Sequence, residues 1–395
     1  MIDTTSAILD VLNPVAQLES DLKGLAPLPA RRERYRGDDL LDAWDRFNAD
    51  FIERGISDGF PLVPPTRERV QSALTTVTLA PDHVLGILAP FYGAATVEKL
   101  AINAVMAGCA PSHLQVLIAA VEAILQTPQS VFPVRGITMS TNPTTMMMVV
   151  NGPILHELEI NTGRCTLGPG KPARVNTVLG RALRLILMNV GHCYPGSGDM
   201  DTIGSPTKYS MCVGENEEQN PWEPFHVERG FRADQSTVTL FGANSMVHYN
   251  NYQADAQKVL LGWAGKMACV GGSGGLIPSR TEGEGGSCNV MLLAPDHARL
   301  LAEAGQTKAS IRHYLFENAT IQVKQILATM GVGWESLSSE LQQEISSLDP
   351  ESWVPQLSMP QQVQMVVVGG PNGQSDLVPC MGNPTITREI VHGRS

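Results

Sequence analysis

Met146, Met147, Met148 and Val149 put four apolar residues in a row inside TTMMMVVNGP. A strand with one wet face alternates apolar and polar side chains. An unbroken run of this length therefore predicts a strand buried on both faces. The chain has 395 residues, enough for about two or three domains with sizeable cores.

Residues 1–38, with Pro14, Pro27 and Pro29 ahead of Arg31, Arg32, Arg34 and Arg36, read as an N-terminal arm or linker with solvated arginines. Residues 39–56 place Leu40, Leu41, Trp44, Phe47, Phe51 and Ile52 on one face of a helix. Pro61, Pro64 and Pro65 force an extended segment, and Thr66 is placed to cap the helix that follows. A helix from about Thr96 to Ala107, closed by Gly108, delivers Cys109 to a turn. The next helix, from about Pro111, is apolar nearly all round and is expected to be buried. VFPVRGITMS reads as a strand, and another helix is expected from about Val178 to Val190. Thr96-Val97 with Gly108-Cys109 is echoed by Thr177-Val178 with Gly191-His192-Cys193, as in two matched halves facing one cleft.

Residues 39–235 thus read as a helix-rich α+β domain. From about residue 236 strands and helices alternate. STVTLFG is a strand, Ala254–Trp263 a helix, and KMACV a strand running into GGSGGL. CNVMLLA is a strand leading into the helix PDHARLLAEAG, a further helix follows Thr307, and QMVVVGG is a last strand. The segment 331–360, with Pro350, Pro355 and Pro360, is a long excursion. The expected fold class is α/β, with a mixed α+β N-terminal part holding buried helices and an α/β domain over 236–395.

A net charge of −11 and the lack of any basic run beyond the early arginines argue against nucleic acid or an acidic membrane surface as partner. MIDTTSAILD lacks the basic-then-apolar layout of a signal peptide. The longest apolar stretch, near Val116–Leu125, contains Glu122 and falls far short of the roughly 20 residues a membrane span needs. Seven scattered cysteines without a CxxC pair read as reduced thiols in a cytoplasmic protein. Low charge and many loops point to a homo-oligomer acting on a small molecule.

The segment Lys208–Phe231, KYSMCVGENEEQNPWEPFHVERGF, gathers Cys212, Glu215, Glu217, Glu218, His226 and Arg229 around Pro221, Trp222 and Pro224. It has no helical or strand period, so it lies on a surface or lines a cleft. Adjacent carboxylates in a desolvated cleft raise one pKa and yield an acid and a base near neutral pH; on an open surface they are a solvated turn. Cys109 and Cys212 each stand beside a glycine at the mouth of an element and are candidate nucleophiles. His226 or Arg229 would supply the cation that a thiolate needs. Three glycine-rich loops could hold a substrate anion on backbone N–H groups: Gly168 and Gly170 with Lys171 and Arg174, the loop containing Gly274, and the loop containing Gly370. None matches a phosphate loop or a dinucleotide fingerprint. Cys269 reads as core, while Cys165, Cys193 and Cys380 sit in loops. No motif requires a cofactor. A metal is left open by Cys109, Cys212, Glu217, His226 and His248, without a local ligand spacing that suggests one.

DGFPLVPPTRERV (58–70), ATVEKLAINAVMAGC (95–109), GRALRLILMNVG (180–191) and the stretch 208–231 together resemble a group of bacterial proteins associated with UGSC-type thiol or selenol proteins. The resemblance covers most of residues 40–320 and implies that Cys109, Cys212, Glu215, Glu217 and Glu218 matter together, with a redox association; Cys193 lies outside the pattern. Gly285-Gly286-Ser287-Cys288 looks like a U/C-G-S-C motif whose first chalcogen is glycine, which removes one partner of a dithiol couple. The favoured expectation is a cysteine-centred enzyme on a small anionic metabolite, doing thiol redox or carbon–heteroatom bond chemistry. In it Glu215, Glu217 or Glu218 is acid/base and His226 tunes the thiolate. The alternatives are a metal-dependent lyase or hydrolase with Cys/His/Glu ligands, and a non-catalytic binding or assembly protein.

Overall fold

The structure, a computed structural model, describes residues 7–16, 30–252, 254–270, 288–329 and 339–394. Ala7–Leu12 (β1) pairs antiparallel with Arg32–Gly37 (β2). The arginine cluster is therefore a strand and not a linker, with Arg34 bonded to Asp10 at 2.8 Å. Leu40–Glu53 (α1) starts at Asp39, whose side chain accepts from the Asp42 N–H. Its buried face is narrower than the sequence suggested: Ala43, Phe47 and Phe51 are enclosed, while Leu40, Leu41 and Ile52 stay exposed. Thr66 caps Arg67–Leu74 (α2), as expected. Val84–Leu88 (β3) and Gly93–Thr96 (β4) form a hairpin, and Thr96 then caps Val97–Ala107 (α3). Gly108 ends that helix at φ 91°, a left-handed turn that glycine makes without a Cβ clash.

Leu114–Gln126 (α4) is buried nearly all round. Just before it, His113 is enclosed and its Nδ1 accepts the Ala110 N–H at 3.2 Å. Burial, helped by Arg174, pushes the imidazole down to about 4. In the unfolded chain the ring titrates near 6.5, so on acidification the unfolded state takes up the proton first. This contribution to stability is intact above about pH 6.5 and is lost as pH falls towards 4, by up to about 3 kcal/mol. His113→Gln should accordingly lose less stability than the parent between pH 7 and pH 4.5, measured by urea unfolding at both pH values.

Val134–Thr138 (α5) is a short helix where a strand was expected. Pro133 stands at its start, where a missing N–H costs nothing, and its carbonyl accepts the Ile137 N–H at 2.8 Å. Thr145–Asn151 (β5) is buried at every residue. Then come Ile154–Glu157 (α6), Arg174–Asn189 (α7), Cys212–Gly214 (β6), Phe225–Glu228 (α8), Thr237–Ala243 (β7) and Val247–Asn250 (β8). Ala256–Val270 (α9) absorbs KMACV, read as a strand from sequence. Val259, Leu260, Trp263, Ala264 and Met267 continue a buried helical stripe through it, and Cys269 is left exposed. The chain continues with Asn289–Leu293 (β9), Pro295–Glu303 (α10), Lys308–Asn318 (α11), Thr320–Gln322 (β10), Val323–Thr329 (α12) and Ser339–Ser347 (α13). It closes with Trp353–Pro355 (β11), Val363–Val367 (β12), Gln374–Pro379 (β13) and Arg388–Glu389 (β14). The described part of the expected excursion holds α13 and β11, and β11 pairs back on β10.

Two mixed four-stranded sheets, in the orders β14-β7-β5-β6 and β12-β9-β13-β8, form the centre of a mixed α/β fold. In the first, β5 is parallel to β6 and antiparallel to β7. In the second, β9 is parallel to β12 and antiparallel to β13. Met146, Met148, Val150, Cys212 and Leu240 face α3, α4 and α7. Met147, Val149, Val213 and Phe241 pack instead with Val290, Leu292, Val366 and Val378 of the second sheet. The far side of that sheet, Met291, Met365 and Leu377 among it, packs on α9, α10 and α11. The order is helix, sheet, sheet, helix. Successive residues of β5 thus enter different cores, which is why the methionine run has no polar face. The first sheet also crosses residue 236, since β7 and β14 both belong to it. Residues past β13 fold back on α4, with Arg388 bonded to Glu122 at 3.0 Å and the Ile386 N–H donating to Thr127 Oγ1 at 2.9 Å. The echo between residues 96–109 and 177–193 is local: α3 and α7 pack side by side, but Thr177 lies inside its helix whereas Thr96 caps one. Among the described residues no helix is long and apolar enough to cross a membrane.

Candidate functional site

Because β5 and β6 are parallel, their carboxyl ends lie side by side: Asn151 is the last residue of β5, and Glu215 follows Gly214. Loops leaving parallel strands at that end diverge, and ligands commonly bind there. The loop after β6 is pinned to both sheets. The Glu215 N–H donates to Val150 C=O at 3.1 Å, and the Asn216 N–H to Val367 C=O at 2.7 Å. Asn216 Nδ2 also reaches Gly369 C=O at 3.0 Å. After Pro224 the chain turns into α8, which carries His226 inward.

Glu215 is fully buried. It accepts from Asn151 Nδ2, from the Phe225 N–H at 2.7 Å and from Asn220 Nδ2 at 2.8 Å. Burial pushes its carboxyl up to about 7, against the opposing pull of Lys308 and the hydrogen bonds. Glu217 Oε1 accepts from the Gly152 N–H at 2.7 Å and from Asn151 Nδ2 at 3.0 Å. His226 has a side chain 0% exposed, with Nδ1 3.6 Å from Glu217 Oε1. Neither of its ring nitrogens has a hydrogen-bond partner, and neither does Asn151 Oδ1. One atom each of Glu215, Glu217 and His226 lies within 4.8 Å of the others. Ligands held at 2.0–2.2 Å around a tetrahedral divalent ion stand about 3.4 Å apart, close to the His226–Glu217 separation. Two carboxylates and an imidazole also match an ion of borderline hardness.

The other expected residues divide. Glu218 joins no cluster; it is exposed and faces an equally exposed His156 at 3.6 Å. Cys109 and Cys212 do come together, on the helical side of the first sheet, where Cys109 Sγ donates to Val178 C=O at 3.4 Å. Burial raises both thiols. Cys212 is pushed up to about 12, and Cys109 is raised further by Cys212 in spite of Arg174 and Arg181. Cys212 faces that helical core, whereas Phe225, next to His226, packs between the sheets. In the folded protein iodoacetamide should therefore modify exposed Cys165 and Cys269 first, with Cys212 and Cys109 more than about 100-fold slower. Peptide mass mapping after timed alkylation checks this, and fast labelling of Cys109 or Cys212 would contradict it.

Lys171 and Arg174 are exposed. The loop bearing Gly168 and Gly170 is anchored by Asn161 and Asn176 and meets the Gly370 loop, where Arg164 donates to Pro371 C=O at 2.9 Å. A Cβ on Gly370 would lie 2.2 Å from Arg164 Cγ, so glycine permits that contact. Both loops flank Asn216, since the Gly369 N–H donates to Thr162 C=O at 2.8 Å. Arg229 is turned inward, stacked 4.5 Å over Phe225 and bonded to Gln364 at 3.0 Å. Gly274 lies outside the described residues. His248 pairs with Asp376 at 3.3 Å on an outer strand. Sequence reading missed Asn151, whose signal was a lone polar residue closing an apolar strand. It also missed a cleft of about 690 Å³ lined by Asp199, Asp201, Lys208 and Arg184. In that cleft Lys208 bridges the two aspartates at 2.7 and 2.5 Å; the signal was GDMDTIG.

No protein-family model, curated protein or solved structure matches the chain.

Proposed function

We propose that the chain is a metal-dependent lyase or hydrolase in which Glu215, Glu217 and His226 hold one divalent ion. The loops bearing Gly168, Gly170, Lys171 and Gly370 would receive a small anionic metabolite beside it. The observation that carries this reading is His226: a wholly buried imidazole with both nitrogens unpaired, next to two carboxylates. A buried polar group without a partner is costly, and a metal ion is the partner that all three side chains would share. Two carboxylates also neutralise a divalent ion within a low-dielectric setting. Such an ion polarises a substrate oxygen or generates hydroxide from bound water near neutral pH. The thiol-centred reading finds less support, since burial raises Cys109 and Cys212 rather than freeing a thiolate. The expected setting remains the cytoplasm and the expected state a homo-oligomer.

Elemental analysis of protein purified without chelator or nickel resin tests the proposal. About one equivalent of zinc, manganese or iron per chain is the expected result. Folded, active protein that carries no metal and ignores chelators would overturn it.

A further inference from the structure

Cys288 and Cys380 lie far apart in sequence, yet the strand register brings them face to face. In the antiparallel pair β9–β13, Val290 is opposite Val378 and Asn289 opposite Pro379. The next pair outward is Cys288 and Cys380, and the Cys380 N–H donates to Cys288 C=O at 2.8 Å. The Cys288 N–H goes instead to Gly382 C=O at 3.2 Å, so the two do not exchange both bonds. Opposed antiparallel residues have Cα atoms about 4.5–5.5 Å apart, inside the span of roughly 4.4–6.8 Å that a disulfide bridges. Their side chains share one face, since both pack between the sheets with Val290 and Val378. Cys380 Sγ donates to Val378 C=O at 3.4 Å, and the Cys288 side chain is near enough to perturb the Cys380 thiol. Arg229, whose Nε has no partner, stands close enough to Cys288 for the two to interact electrostatically.

We infer that Cys288 and Cys380, both enclosed once the sheets pack, are a dithiol that closes to a disulfide by exchange with a small disulfide such as oxidised glutathione while the sheets are parted or the chain is folding. The Cys288 sulfur, with the Arg229 cation beside it, attacks one sulfur of the oxidant. The oxidant's S–S bond breaks, one reduced glutathione leaves, and Cys288 carries the other half as a mixed disulfide. Cys380 then loses its proton and attacks the Cys288 sulfur, expelling the second glutathione. Two protein thiols are oxidised and one glutathione disulfide is reduced to two thiols. Burial and the neighbouring Cys288 hold the Cys380 thiol well above its ordinary range. The pair is separate from the proposed metal centre and does not depend on it.

The test equilibrates the full chain with oxidised and reduced glutathione, once as folded protein and once by refolding from urea in the same buffer. Refolding lets the pair react whether or not glutathione reaches it in the folded state. The expected product has lost two hydrogen atoms in mass, retains no glutathione, and yields one cross-linked peptide joining Cys288 to Cys380. Cys288→Ser and Cys380→Ser should each abolish it, with Cys380→Ala as a second variant should the serine disturb folding. Cys109→Ser should leave it unchanged. Absence of the cross-link after refolding, or a cross-link that persists in Cys380→Ala, would overturn the inference.

Discussion

His226→Ala is expected to weaken binding of manganese or zinc by more than about 100-fold while leaving the chain folded. Removing a residue that merely supports a ligand commonly costs 10–100-fold, and losing a ligand costs more. The ring nitrogens make no hydrogen bond to the protein, so the variant forfeits packing but no polar partner. This separates a ligand from an ordinary buried histidine, whose loss would unfold the chain and leave metal binding in the folded fraction untouched. Glu217→Gln is the companion variant. Its amide oxygen can still accept from the Gly152 N–H, as Glu217 does at 2.7 Å, while the charge that attracts the cation is gone. Titration calorimetry with metal-stripped protein, paired with urea unfolding, reads both quantities. Equal affinity in parent and both variants would remove the metal centre.

Gly152→Ala should be the most damaging single-methyl change near the site. Gly152 has φ +87°, and a Cβ there would stand 2.2 Å from Gln235 C=O. Left-handed strain adds to a collision with backbone that cannot rotate away, for an expected loss of about 3 kcal/mol or more. Gly55→Ala is the control: φ is +70° but no atom lies within 4 Å of the added Cβ. That variant should lose only about 1 kcal/mol, so the difference between the two urea midpoints isolates the collision. Because the Gly152 N–H holds Glu217, the surviving folded fraction of Gly152→Ala should also bind metal more weakly.

The sequence showed elements better than it showed neighbours. The methionine run, the cap at Thr66 and the close of a helix at Gly108 are local signals, and each corresponds to its element. VFPVRGITMS and KMACV misled because short apolar runs suit either period. Pro133 and the stripe from Val259 to Met267 decided the matter in favour of helix. In the site, Glu215, Glu217 and His226 were legible because they sit within a dozen residues of each other. Asn151 was not, since only the parallel pairing of β5 and β6 brings it alongside. Whether Cys109 and Cys212 meet was not legible in the sequence, and their protonation depends on how deeply the helices enclose them, which residue spacing does not encode. Cys288 meets Cys380 only through the register of two distant strands.

The return of residues 385–389 to the first sheet has a kinetic consequence. β5 gains its neighbour β7 only after residue 236, and β7 gains β14 only after residue 387. Along the growing polypeptide, the outer edge of β7 stays open while the whole second sheet is made. Contacts of such long sequence separation form slowly, and an exposed strand edge is where nascent chains stick to one another. Native-state assembly of the first layer is thus a late event, and a ribosome-bound intermediate ending near residue 380 should be a strong chaperone client.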